Sequence, residues 1–170
     1  AFLKLAVKRD DIKIVAVNDL GDINNFAYLL KYDSAYGRSG LDVKAVDGKL
    51  VVNGQEIQFL SEKDPSKLPW GKLGVDVVVE STGIFDDYQK AKAHLDAGAK
   101  KVVITAPVKG EAPAGLSSAT ILMGINDDKL ATCQITSNAS CTTNAAGPVI
   151  QILHETIGIA KALLNTTHAY

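Results

Sequence analysis

The feature that most constrains this chain is the alternation of β-branched runs with helical patterns. Ile12-Lys13-Ile14-Val15-Ala16-Val17-Asn18, Val75-Asp76-Val77-Val78-Val79-Glu80, Lys101-Val102-Val103-Ile104-Thr105 and Thr120-Ile121-Leu122-Met123-Gly124-Ile125 read as strands. The first two have the composition of strands buried on both faces. Asp22 to Leu30 forms an amphipathic helical pattern with an Asp at its start, and Asp86 to Ala97 forms another with Gly98 as its C-cap. Strands separated by helices run parallel, because the crossover returns the chain to the same end of the sheet. The expected fold class is therefore α/β, a doubly wound and mostly parallel sheet. Three shorter strands, Val43–Val46, Lys49–Val52 and Glu56–Phe59, are joined by Asp47-Gly48 and Asn53-Gly54, the residue pairs that two-residue hairpins require. Pro65, Pro69 and Gly71 mark a loop, as does the Gly-, Pro- and Ser-rich stretch from Val108 to Ser118.

Composition narrows the class of partner. With 46% hydrophobic and 22% charged residues and a net charge of −1, the 170-residue chain is expected to be globular with a sizeable core. Lys and Arg are spread along it, which leaves no footprint for nucleic acid or an anionic membrane. No apolar run has membrane-spanning length, and a cytoplasmic setting is the default expectation. Its two cysteines, Cys133 and Cys141, make neither a disulfide framework nor a metal cluster. Residues Phe2 to Val7 read as the last turns of a helix, and Ala162 to Tyr170 as a strand that stops without a turn. Part of a longer polypeptide is expected.

Ligands of such sheets gather beyond the C-terminal strand ends. That rule selects Asn18-Asp19, Ser81-Thr82-Gly83, Thr105-Ala106-Pro107 and the region before Cys141. Asp19 has the placement of an acid that binds an adenosine ribose, or of one that closes its own turn. The glycine-rich loop that should precede such an acid is not in these residues. Cys141, in Ser140-Cys141-Thr142-Thr143-Asn144, sits at the start of a helical pattern, where free N–H groups and the macrodipole favour an anion and so a thiolate. A packed helix-start cysteine is the plainer alternative. His168 is either its acid–base partner or a solvated histidine. His94 and His154 read as surface residues of helices, and Cys133 as a packed thiol.

The cysteine pentapeptide, with Ser137-Asn138-Ala139 before it and Thr167-His168-Ala169-Tyr170 after, resembles phosphorylating glyceraldehyde-3-phosphate dehydrogenase. So do Val15-Ala16-Val17-Asn18-Asp19-Leu20, Leu30-Lys31-Tyr32-Asp33-Ser34, Val79-Glu80-Ser81-Thr82-Gly83-Ile84-Phe85 and Lys101-Val102-Val103-Ile104-Thr105-Ala106-Pro107, all in family order. The resemblance spans the whole chain and implies about the first half of such an enzyme. Residues 1–140 would be the NAD-binding domain without its first strand and glycine loop, and 141–170 the beginning of the catalytic domain. It implies Cys141 as nucleophile and His168 as base, with Ser140 and Thr142 holding phosphate. Asp19 would bind the adenosine ribose, Lys63 would lie near the adenine, and Ser81, Thr82, Gly83 and Thr105 would line the NAD groove. The implied partners are glyceraldehyde 3-phosphate, inorganic phosphate and three further copies in a homotetramer. Erythrose-4-phosphate dehydrogenase shares the scaffold, and a truncated non-catalytic binding module is the alternative from another class. The 170 residues alone are expected to be inactive. Two departures from the family pattern are Ala145, where a second cysteine is common, and a long Val108–Ser118 loop.

Overall fold

The computed structural model describes residues 1–168; Ala169 and Tyr170, which close the expected terminal strand and the Thr167–Tyr170 motif, lie outside the described residues. The chain divides into two compact units, Ala1–Leu68 and Pro69–Tyr170.

In the first unit, helix α1 (Phe2–Ala6) precedes strand β1 (Ala16–Asn18), helix α2 (Ile23–Lys31) and the short ribbon β2 (Tyr32–Asp33) and β3 (Gly37–Arg38). Then come β4 (Val43–Val46), β5 (Lys49–Val52) and β6 (Gln55–Leu60). The sheet order is β1-β6-β5-β4, with β1 parallel to β6 and the other pairs antiparallel. Asp47 and Gly48 have φ of 49° and 73°, and Asn53 and Gly54 have 50° and 84°. Both turns thus place two successive residues at positive φ, the geometry that matches the twist of a tight hairpin. Asp22 caps α2 by accepting from Asn24 N–H and Asn25 N–H. Ala27 and Leu30 of α2 join Leu41, Val43, Leu50, Val52 and Ile57 in the core. Strand β1 is half-buried on both faces, against the expectation of full burial, since among the described residues it has one strand partner.

The second unit runs through α3 (Trp70–Leu73), β7 (Val77–Glu80), α4 (Tyr88–Asp96), β8 (Lys101–Ile104), β9 (Ser118–Thr120), β10 (Ile135–Ser137) and α5 (Cys141–Thr156). Its sheet is all parallel in the order β7-β8-β10-β9, which is the α/β architecture the alternation predicts. Val102, Ile104 and Ile135 are fully buried beneath α4. Close approach of α3 to the end of α4 demands glycine at position 98. A Cβ on Gly98, whose φ is +102°, would lie 2.5 Å from Gly71 Cα. Gly71 N–H in turn donates to Ala97 O at 3.0 Å.

Several expectations need correction. The expected loop at Pro65–Gly71 contains a 3-10 turn, Pro65–Lys67, and helix α3, because Asp64 caps the former and Gly74 at φ 65° ends the latter. Strand 120–125 is instead β9 followed by a turn. Asn126 closes that turn, its Oδ1 accepting from Leu122 N–H at 2.8 Å and its Nδ2 donating to Thr120 O at 2.9 Å. Strand β7 is buried at Val78 and Glu80, with Val77 exposed and Val79 half-buried. Residues 162–168 form no strand; no described strand pairs with them. No helix among the described residues is long and apolar enough to cross a membrane.

Candidate functional site

In the first unit the candidate residues are Asp19 and Lys63. Asn18 ties the ends of β1 and β6 together, its Nδ2 donating to Glu62 O and its Oδ1 accepting from Glu62 N–H, both at 2.9 Å. That pair sets the platform from which Asp19 projects. Asp19 N–H donates to Leu60 O at 3.0 Å, and its Oδ1 accepts from Gly21 N–H at 2.7 Å. One carboxylate oxygen thus closes the turn, and the other has no hydrogen-bond partner among the described residues. The helix cap is Asp22, so Asp19 is not needed there. Lys63 is exposed on a bend just after Glu62.

In the second unit Ser81, Thr82 and Gly83 follow β7, and Thr105 follows β8; all four are exposed. Gly83 has φ +72° and nothing within 4 Å of where its Cβ would be, so its backbone is open to a ligand. Thr82 Oγ1 accepts from Ile84 N–H at 3.1 Å, closing the turn around Gly83. Thr105 N–H and Oγ1–H both donate to Glu80 O, at 2.9 and 3.1 Å, which joins the two strand ends.

The third group lies where β10 becomes α5. Ser137, fully buried, donates from Oγ to Ala106 O at 2.6 Å and accepts from Ala139 N–H at 3.0 Å. Ala139 takes φ +61°, a left-handed conformation rare for a residue with a Cβ. The turn hands the chain to Ser140, which caps α5 by accepting from Thr143 N–H at 3.0 Å. Asn144 braces the same turn, its Nδ2 donating to Asn138 O at 2.6 Å and Ser140 O at 2.9 Å. Cys141 is then the first residue of α5, and among the described residues it is exposed. Free N–H groups of the first turn surround that position and favour negative charge. His168 reaches the same turn: its Nε2 lies 3.4 Å from Thr142 Oγ1 and 3.3 Å from Thr166 Oγ1. Its hydrogen bonds go to those hydroxyls rather than to the thiol.

Cys133 is buried, as expected. His94 is not a surface residue: it is 4% exposed and bonded between Trp70 and Glu80. The signal for it was its spacing on α4, in step with Tyr88 and Ala91, which are also buried. Glu80 and Ser137 were likewise passed over. A carboxylate ending a run of three valines, and a serine ending a buried strand, were the available cues.

The family model described as glyceraldehyde 3-phosphate dehydrogenase, NAD binding domain, matches residues 1–88. Glyceraldehyde-3-phosphate dehydrogenase of Geobacillus stearothermophilus is 49% identical over 169 residues, which is 98% of this chain and 49% of that protein. The Thermotoga maritima enzyme of the same name is 49% identical over 164 residues, 96% of this chain and 47% of its own. Glyceraldehyde-3-phosphate dehydrogenase 1 of Streptomyces arenae is 47% identical over 171 residues, 99% and 50% of the two chains. The chain spans about half the length of the curated relatives it matches.

Proposed function

The chain belongs to the glyceraldehyde-3-phosphate dehydrogenase family, and from that premise we propose that the complete protein oxidises glyceraldehyde 3-phosphate to 1,3-bisphosphoglycerate with reduction of NAD. The observation that carries the reading is the first turn of α5, where an exposed thiol follows a serine cap and precedes two threonines, with an imidazole at Thr142.

The chemistry follows from those groups. Cys141 attacks the aldehyde carbon, forming a C–S bond and an alkoxide that takes up a proton to give a hemithioacetal. His168 removes the hydroxyl proton as hydride leaves the same carbon, and a thioester remains on Cys141. Bound NAD supplies the hydride acceptor. Inorganic phosphate then attacks the thioester carbon; the C–S bond breaks and the thiolate of Cys141 is regenerated with release of the acyl phosphate. Ser140 and Thr142 hydroxyls, at a helix N-terminus, hold phosphate oxygens.

The residues fit a dinucleotide. Asp19 keeps one carboxylate oxygen for a ribose hydroxyl, and its charge disfavours the additional phosphate of NADP. Ser81, Thr82, Gly83 and Thr105 offer exposed polar groups and open backbone at strand ends, and Lys63 a cation for the adenine side. In this reading the dinucleotide-binding part runs to residue 140 and the catalytic part begins at Cys141. A cytoplasmic homotetramer completes the proposal, by analogy with the family. The test is phosphate-dependent formation of NADH from glyceraldehyde 3-phosphate by the complete protein. A higher kcat/KM for erythrose 4-phosphate would reassign the substrate, and undiminished activity in Cys141→Ser would remove the nucleophile.

A further inference from the structure

Three buried side chains that the proposed reaction does not use stand in line behind the Ser81–Gly83 loop. Trp70 Nε1–H donates to His94 Nδ1 at 3.0 Å, and His94 Nε2 meets Glu80 Oε2 at 2.9 Å. All three residues are 5% exposed or less. An indole N–H can only donate, so Nδ1 must present its lone pair and the ring proton must sit on Nε2. His94 therefore donates to Glu80. The other carboxylate oxygen, Oε1, accepts from Thr82 N–H at 2.6 Å and from Thr82 Oγ1–H at 2.5 Å.

Three donors thus converge on two oxygens, and only a carboxylate accepts from all of them. Burial pushes the Glu80 carboxyl up, but the hydrogen bonds from His94 and Thr82 outweigh it and hold the group below its ordinary value. Glu80 also carries the carbonyl that takes both donors of Thr105. A single residue therefore controls the loops after β7 and β8. An apolar core would fill the same volume, yet it would make no bond to a loop amide.

We propose that Trp70, His94 and Glu80 form a relay of positioning residues that fixes the Ser81–Gly83 loop and Thr105 in the conformation that receives the dinucleotide. The proposal rests on the cofactor reading given above. Trp70 sets the His94 tautomer, the tautomer makes His94 a donor to Glu80, and the carboxylate so held locks the Thr82 amide and hydroxyl.

The critical variant is Glu80→Gln, which keeps the shape. Its NH2 group must face either His94 Nε2–H or Thr82 N–H, donor against donor, and Trp70 forbids the tautomer that would relieve the first clash. Adding Trp70→Phe frees His94 to carry its proton on Nδ1 and to accept from the Gln amide at Nε2. Two measurements on the complete protein separate the ideas: amide hydrogen exchange of Thr82 and Ile84 without ligand, and the dissociation constant for NAD by calorimetry. Glu80→Gln should speed exchange and weaken NAD binding, each about tenfold. The double variant should return to within about threefold of Trp70→Phe alone on both readouts. A double variant no better than Glu80→Gln overturns the relay, and so does unchanged exchange beside normal NAD affinity. Faster exchange in a protein whose unaltered form takes no NAD overturns the cofactor reading alone. Should the buried variants fail to fold, Thr82→Val at the exposed end removes the hydroxyl donor to Glu80 and must still speed exchange of the amide at position 82 and weaken NAD binding, and unaltered values of both overturn the proposal.

Discussion

Helices α4 and α5 each follow a strand of the same parallel sheet, and each begins at a capping side chain. Asp87 accepts from Lys90 N–H at 2.6 Å, and Ser140 from Thr143 N–H at 3.0 Å. Beyond the first turn they diverge. Helix α4 buries Tyr88, Ala91 and His94 against the sheet, although its sequence is the more polar. Helix α5 buries no residue, and its Val149, Ile150, Ile152 and Leu153 are 42% to 60% exposed. Within these 170 residues, apolar content alone therefore does not decide which helix is buried. Among the described residues α4 is held along its length, and α5 by its beginning, through Ser140, Asn144 and the Ala139 turn, with Leu122 and Ile125 close enough to Gly147 that a Cβ there would crowd them.

If that contrast is right, changes along α4 should act on stability, and changes at the start of α5 on chemistry. The largest separation is expected from Cys141→Ser in the complete protein, with kcat falling about 10³-fold or more while the unfolding midpoint stays in place. Loss of both together would break the comparison, and steady-state kinetics beside a thermal melt reads it directly. Gly98→Ala acts the other way. Its Cβ would lie 2.5 Å from Gly71 Cα at a φ of +102°, and a destabilisation of about 3 kcal/mol is expected in urea titration.

A smaller effect concerns pH. The Glu80 carboxyl is depressed when folded, so its contribution to stability is complete above its unfolded value near 4.5 and is lost as pH falls through the folded one. Denaturation measured across that acid limb should therefore fall less steeply for Glu80→Gln than for the unaltered protein. An identical slope would detach Glu80 from the α4 anchorage. The smallest effect is Ile152→Ser on the open face of α5, where the 170-residue chain should change by less than about 0.5 kcal/mol. A larger loss would mean that α5 is supported along its body after all.

What could be read in the residues was what is decided locally. Asp47-Gly48 and Asn53-Gly54 dictate their hairpins because the φ values they need are a property of those two residues. The start of α5 is equally local, since Ser140 finds its partner three residues on. The turn at Leu122–Asn126 escaped, because Asn126 had to reach back to Thr120 and an apolar run conceals that. His94 escaped for a related reason: its partners are 14 and 24 residues away, and helical position alone does not reveal them. The stretch 162–168 looked like a strand, but a strand is defined by a partner as much as by its own composition. At the site, the placement of Asp19, Ser81–Gly83, Thr105 and Cys141 at strand ends followed from the alternation. The roles expected of them came from the family resemblance, because spacing does not specify a reaction.

The left-handed Ala139 has a mechanical consequence. Helix α5 has 16 residues, and at 1.5 Å per residue it is a rod about 24 Å long. Rocking it by about 10° about its first turn would sweep the far end through roughly 4 Å, whereas an atom beside the pivot would shift by well under about 1 Å. Ala139 lies just before that first turn, and its Cβ closes conformations that a glycine there would open, at a cost of about 1–2 kcal/mol. The thiol of Cys141 sits at the end of the rod that the Ala139 turn and the Ser140 cap hold in place.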